Sequence, residues 1–329
     1  MNNTLLNTAL AIVLITAFVA SLVTGPAAIP LSQSFEALFG GANEAAVLVM
    51  QEIRLPRAIL GLLIGATLGL TGAVLQGYLR NPLADPGILG ISSAAALGAV
   101  IAIYSGLAAM LPITLPVAAM AGALLAVFLI HRLAGRHAGT ITLILAGLAI
   151  STLGGALTTL ALNLSPNPYA ALEIVFWMLG SLTDRSWLHV TLAAPFMIAG
   201  WFMLFAAARA LDALTLGSDV AATIGIDLAR TRTLIVIGAA ISVGAATAVA
   251  GAIGFVGLVV PHVLRPLVGH QPSRLLPASA LAGGALILAA DVAVRVIAPA
   301  RDIKLGVRTA LIGAPFFVWL VFKTRRELV

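Results

Sequence analysis

The chain has no cysteine among its 329 residues. This excludes a disulfide framework, a cysteine-held iron–sulfur cluster and a thiol nucleophile, and it leaves the redox compartment open. Lysine is nearly as scarce: only Lys304 and Lys323 are present, and neither follows a glycine. A G-x-x-x-x-G-K-S/T phosphate loop is therefore absent, and the chain does not bind and hydrolyse ATP by that route. Charge of either sign is sparse, at 9% of residues against about 25% in a soluble domain. The net charge of +6 comes without any run of five or more like charges, so it reads as membrane-topology charge and not as a nucleic-acid surface. His131, His137, His189, His262 and His270 are dispersed, with no H-E-x-x-H pairing. No metal site made by this chain alone is expected.

What is present is apolar. Hydrophobic residues make up 61% of the chain and the mean hydropathy is +1.11, so lipid is the expected solvent. A bilayer core about 30 Å thick needs roughly 20 apolar residues per helix. Ten candidate spans emerge: 5–24, 55–78, 88–111, 113–130, 140–162, 187–208, 233–253, 255–267, 275–297 and 306–322. The first 24 residues carry neither a basic flank nor a small-residue cleavage site, so 5–24 is expected to be a retained span. The uncharged stretch 233–264 is too long for one span and too short for two. Gly254, Gly257 and Pro261 punctuate it, predicting a full helix and then a short one covered by protein or a water-filled cavity. Gly61, Gly65, Gly69 and Gly72 fall on one face of the second span, which places that helix near the middle of a crowded bundle. The expected fold is all-α and polytopic, with about ten transmembrane helices in a single domain, residues 1–329. With the N-terminus in the cytoplasm, eleven Lys and Arg residues collect on that side and seven on the other, favouring both termini inside.

Two connections stand out. Residues 211–232 carry five charges among Ala and Gly and read as a short amphipathic helical pair outside the bilayer, a candidate docking element. Residues 163–185 hold a Pro-broken start, a short apolar helix and a turn at the opposite face, a candidate lip over a cavity. For either, a plain solvated loop is the alternative. Between the second and third spans lies RNPLADPGILG (80–90). Pro82 and Pro86 stop helix propagation there, Asn81 and Asp85 can hydrogen-bond the exposed backbone, and the chain is expected to re-enter the bilayer at Ile88. Asp291 is the one acid deep in a long apolar pattern, a functional candidate by position. Arg295, four residues on and on the same helix face, can neutralise it.

Four blocks carry a resemblance. RLPRAILGLLIGATLGLTGAVLQGYLRNPLADPGILGISSAAALGAV (54–100), GAIGFVGLVVPHVLRPLVG (251–269), PASALAGGALILAADVAVR (277–295) and LGVRTALIGAPFFVWLV (305–321) occur in that order. Together they resemble the FecCD-like permeases, the membrane subunits of ABC importers for iron–siderophore complexes, heme and cobalamin. The motif residues are Arg80, Asn81, Pro82 and Pro86 in the first block, and Gly257, Pro261, His262 and Arg265 in the second. The resemblance implies a type II ABC importer permease: a homodimer in the bacterial inner membrane with its translocation path at the two-fold interface. It also implies two separate ATPase subunits that bind ATP and magnesium on the cytoplasmic face, and a periplasmic binding protein that delivers substrate. No cofactor is implied for this chain.

By position, the resemblance implies an ATPase-coupling element at about 212–230, acting through Leu214, Gly217, Ala221, Ala222 and Gly225. It implies binding-protein docking by Arg54, Arg57 and Arg295, and a cytoplasmic gate at Gly139, Thr140 and Ile141, more hydrophobic here because Ile141 replaces a small polar residue. The family's Glu-Leu-Pro-x-Gly before the last helix is Asp302-Ile303-Lys304-Leu305-Gly306 in this chain, followed by Arg308. The added cations make the outer mouth more positive and point to an anionic chelate or a strongly acidic binding protein. The expected function is import of a metal chelate by alternating access, with no covalent chemistry in this chain; family frequency places iron–siderophore or heme ahead of cobalamin. Two alternatives stand beside it: a secondary transporter driven by an ion gradient, which also uses broken helices, and an intramembrane hydrolase built on Asp291.

Overall fold

A computed structural model describes residues 3–27, 29–111, 113–134, 140–165, 168–297 and 304–327. Among these, every regular element is helical. The chain opens with α1 (Asn3–Val23), α2 (Leu31–Leu38) and α3 (Glu44–Leu48), and α3 passes through a π-helical turn, Val49–Arg54, into α4 (Leu55–Tyr78). Then come α5 (Ile91–Tyr104), α6 (Leu107–Met110), α7 (Thr114–Ala134), α8 (Thr140–Asn163), α9 (Pro168–Met178) and α10 (Trp187–Ala206). The last third holds α11 (Ala208–Leu214), α12 (Ser218–Thr223), α13 (Leu228–Ala250), α14 (Val256–Leu264), α15 (Pro272–Ile297) and α16 (Leu305–Glu327).

Each expected span finds a helix, but not all of them are long. Seven helices among the described residues are long and apolar enough to cross a membrane. The third and eighth spans are short: α5 has 14 residues and α14 has 9. At 1.5 Å per residue α5 reaches roughly 21 Å, so it needs the 3₁₀ turn Pro86–Leu89 before it and α6 after it to approach the far side. The apolar part of α16 is also short, Leu305–Trp319.

Close contact sets the architecture. The 35-residue helix Glu44–Tyr78 is the axis of the bundle, 89% buried over its apolar window. It packs chiefly on α15, and the glycine face explains why. A Cβ added at Gly65 would lie 2.2 Å from the Gly283 carbonyl oxygen, and one at Gly69 would lie 2.1 Å from that of Ser279. Only residues without a side chain let two backbones approach so far. α13 is the second buried axis, held between α7 and α10.

Of the expected boundaries that shift, three have a clear local cause. Re-entry after RNPLADPGILG occurs at Ile91 and not Ile88, because Gly90 adopts a left-handed φ of 71° after the 3₁₀ turn. α13 begins at Leu228, five residues ahead of the expected span, since the Asp227 side chain accepts the Arg230 amide and caps it. The break in 233–264 is made by Gly251 (φ 74°) and Phe255 (φ 68°); Gly257 and Pro261 lie inside α14.

Candidate functional site

The first two motif blocks meet at one buried side chain that sequence reasoning missed. Gln76, on α4, is fully buried. Its Oε1 accepts from Arg265 Nη2 at 2.6 Å, and its Nε2 donates to the carbonyls of Leu258 (3.2 Å), Gly257 (3.4 Å) and Ala84 (3.4 Å). Pro261 explains the need: it has no N–H to offer the Gly257 carbonyl four residues back, and Gln76 supplies a donor instead. On the loop side, Asn81 Oδ1 accepts the Leu83 amide and Asp85 Oδ1 accepts the Gly87 amide, each at 2.9 Å. Pro86 is buried against Gly257, while Arg80 (φ 48°) and Pro82 are exposed. Burial pushes the Asp85 carboxyl up from its ordinary range, opposed by the Gly87 hydrogen bond. His262 stacks edge-on against Phe316 of α16 at 5.8 Å. The motif residues thus assemble a junction between the 80–90 reversal and the short helix. A lone glutamine in the uncharged run 58–79 was the available signal.

At the same end, α11 and α12 form a foot. Gly217 (φ 119°) and Gly225 (φ 88°) bracket α12 in conformations that favour glycine. Leu214 and Ala221 are buried within the chain, whereas Ala222 is exposed. The open apolar surface belongs to Leu216 (68% exposed), Val220 (44%) and Ile224 (61%), whose four-residue spacing was legible and overlooked. Asp212 ties the foot to α15, accepting the Ser273 amide at 2.8 Å. Of the gate candidates, Gly139 lies outside the described residues, Thr140 opens α8, and Ile141 is 74% exposed.

The opposite end holds the arginines. Asp291 is 1% exposed and pairs with Arg295 at 2.8 Å, as its spacing suggested. Arg57 from α4 completes the cluster, with Nε at 3.0 Å and Nη2 at 2.7 Å from the two carboxylate oxygens. Arg295 also donates to the Ser21 and Thr24 carbonyls at the end of α1. Arg54 is only 4% exposed and donates to the carbonyls of Leu22, Val23 and Ala27. The three docking candidates are brought together, but their donors are largely taken up inside the chain.

A cavity of about 460 Å³ is walled by α9 aromatics, including Phe176 and Trp177, with Glu173, Asp184, Arg185 and Lys304. Lys304 Nζ sits 5.5 Å from the centre of the Phe176 ring, within cation–π range. Burial lowers the Arg185 pKa from the usual arginine value, and Asp184 opposes that shift. The Gly306 amide donates to the Leu179 carbonyl at 3.1 Å and the Ser181 amide to that of Ala250 at 2.7 Å. Those two bonds fasten α9 to the start of α16 and to the break after α13.

Known proteins resemble this chain in sequence and in fold. A model of the FecCD transport family matches residues 13–323. The cobalamin import system permease protein BtuC of Halobacterium salinarum is 45% identical over 284 residues, 85% of this chain and 75% of that protein. The Fe(3+) dicitrate transport system permease protein FecD of Escherichia coli is 41% identical over 278 residues, covering 84% and 86%. A solved structure described as an inward-facing conformation of a metal-chelate type ABC transporter superposes with a TM-score of 0.85 at 30% identity, covering 98% of this chain and all of that one. Fold and sequence agree: the chain belongs to the FecCD transport family, as the membrane permease of an ABC importer whose ATP is hydrolysed by separate subunits.

Proposed function

We propose that this permease carries a bulky metal chelate across the bacterial inner membrane by alternating access, with both termini on the ATPase side. Relatives import cobalamin and ferric dicitrate, so the shared cargo class is a chelated metal. The observation that carries the reading is the foot: a chain with no phosphate loop displays Leu216, Val220 and Ile224 on and around α12 at one end. Such a surface suits a separate ATPase, with Gly217 and Gly225 fixing the bends on either side.

The functional unit is a homodimer. α8 supports this, since Ile141, Leu145 and Leu148 are exposed along it and a Cβ at Gly155 would meet nothing within 4 Å. Gly139, Thr140 and Ile141 form the gate at the start of that helix. At the arginine end, Arg54, Arg57 and Arg295 against the single Asp291 leave two net positive charges, which attract an acidic binding protein by their field more than by free donors. Lys304 and Arg308 add to that potential and suit an anionic chelate. A proton relay needs several acids along the helices, and Asp291 is the one fully buried carboxylate among the described residues, which favours ATP over an ion gradient.

Proteoliposomes holding the permease, its ATPase and its binding protein test this reading. Chelate uptake is expected only with ATP and binding protein, and flux through the isolated chain under an ion gradient would overturn it. Calorimetry of the binding protein against siderophore, heme and cobalamin ligands identifies the cargo. Lys304→Pro and Arg308→Val variants that leave uptake and docking unchanged would remove the role given to those cations.

A further inference from the structure

We propose that Asp212 is the joint through which movement of the foot reaches α15, and so a positioning residue for transport; this rests on the importer reading above. Asp212 belongs to α11, yet its carboxylate sits on the first turn of α15. Oδ1 accepts the Ser273 amide at 2.8 Å, and Oδ2 accepts the Gln271 side-chain amide at 3.4 Å. The first amides of a helix lack internal partners and carry partial positive charge, so a carboxylate is held there by both hydrogen bond and dipole. Gln271, which precedes the helix, turns the same amide nitrogen to Ser273 Oγ at 3.2 Å. The cap on α15 is therefore supplied by the foot.

From that cap α15 runs 26 residues, roughly 39 Å, to the arginine end. Along the way it is locked to α4, where Gly65 and Gly69 meet Gly283 and Ser279 backbone to backbone. At the far end Asp291 joins it to Arg57 of α4, and Arg295 joins it to the last carbonyls of α1. These anchors make α4 and α15 one lever, with the arginine cluster at one end and Asp212 at the other. The soft place lies between the cap and the first glycine contact, because Pro277 leaves the Ser273 carbonyl without its helical donor. Without Asp212, a displaced foot slips past that turn; with it, the displacement is carried into the locked pair.

The test compares Asp212→Ala with Asp212→Ala/Gln271→Asp in the full complex with ATPase and binding protein. The second substitution gives α15 a cap of its own but restores no tie to α11. In both variants the ratio of binding-protein-stimulated to basal ATP hydrolysis is expected to fall by about threefold or more, while only the double variant regains the wild-type apparent Tm. A double variant that recovers stimulation together with its Tm reduces Asp212 to a helix cap and overturns the inference. Wild-type stimulation in Asp212→Ala does the same. A wild-type complex whose ATPase ignores binding protein defeats the importer reading and this inference with it, and that control separates the two failures.

Discussion

Replacing Gly65 by alanine tests how the bundle is held together. The new Cβ would lie 2.2 Å from the Gly283 carbonyl oxygen and 2.7 Å from Gly284 Cα, where ordinary contact begins at 3.4 Å. Both surfaces are backbone, so no rotamer can turn away, and α4 and α15 must part locally by about 1 Å, the difference between 3.4 and 2.2 Å. A gap of that size forfeits up to half of each roughly 0.1–0.2 kcal/mol atom contact. Over the ~40–60 contacts that one buried leucine makes, the loss is about 3 kcal/mol, at the upper end of ordinary overpacking. Gly283→Ala is the mirror case, with its Cβ 2.2 Å from the Gly65 oxygen. Helices already parted by one substitution have room for the other, so the double variant is expected to cost clearly less than the sum. Thermal unfolding in nanodiscs, followed by tryptophan fluorescence, reads this out; Trp201 Nε1 donates to Thr67 Oγ1 of α4 at 2.8 Å and reports on that helix. Each single variant is expected to lower the apparent Tm by roughly 5–8 °C. Single variants indistinguishable from wild type, or a strictly additive double, would refute the reasoning.

Asp291→Asn leaves Arg57 and Arg295 without their shared counter-charge and is expected to destabilise by about 3–5 kcal/mol. Replacing all three residues by apolar ones recovers most of the apparent Tm, and the docking reading predicts that this triple variant binds the binding protein more weakly. Any uptake retained by folded Asp291→Asn disposes of the hydrolase alternative. Gln76→Leu strips Arg265 of its 2.6 Å acceptor and the Leu258 carbonyl of a donor, a loss of about 2–3 kcal/mol. Gln76→Glu keeps the arginine partner and is expected to fall between it and wild type, so a neutral leucine variant would refute the junction. Asp85→Asn keeps the Oδ1 acceptor for Gly87. Because burial raises the Asp85 pKa, folding favours the protonated acid, and wild-type stability falls as pH rises from the unfolded pKa through the folded one. The asparagine variant is therefore expected to melt higher at neutral pH, with the advantage vanishing as pH drops below about 4; a pH series of Tm checks it.

The spans were legible because exclusion of charge from hydrocarbon is written in composition, residue by residue. Their ends were less so: α13 starts where Asp227 caps it, and α5 starts where Gly90 turns left-handed, choices made by single side chains and single φ angles. The glycine face of α4 announced a close neighbour without naming it, since Gly283 and Ser279 lie more than two hundred residues away.

By itself the sequence determined the solvent, the absence of a G-x-x-x-x-G-K-S/T phosphate loop, the broken element within 233–264 and, through long motifs, the family. Only the tertiary structure decided which charge meets which. Arg295 finds Asp291 by helical spacing, but Arg57 reaches it across 234 residues, and Gln76 reaches Arg265 across 189. The physical reason is that a buried polar group takes whatever partner the helix packing delivers within about 3 Å, and spacing along the chain carries no record of that distance once two helices are involved.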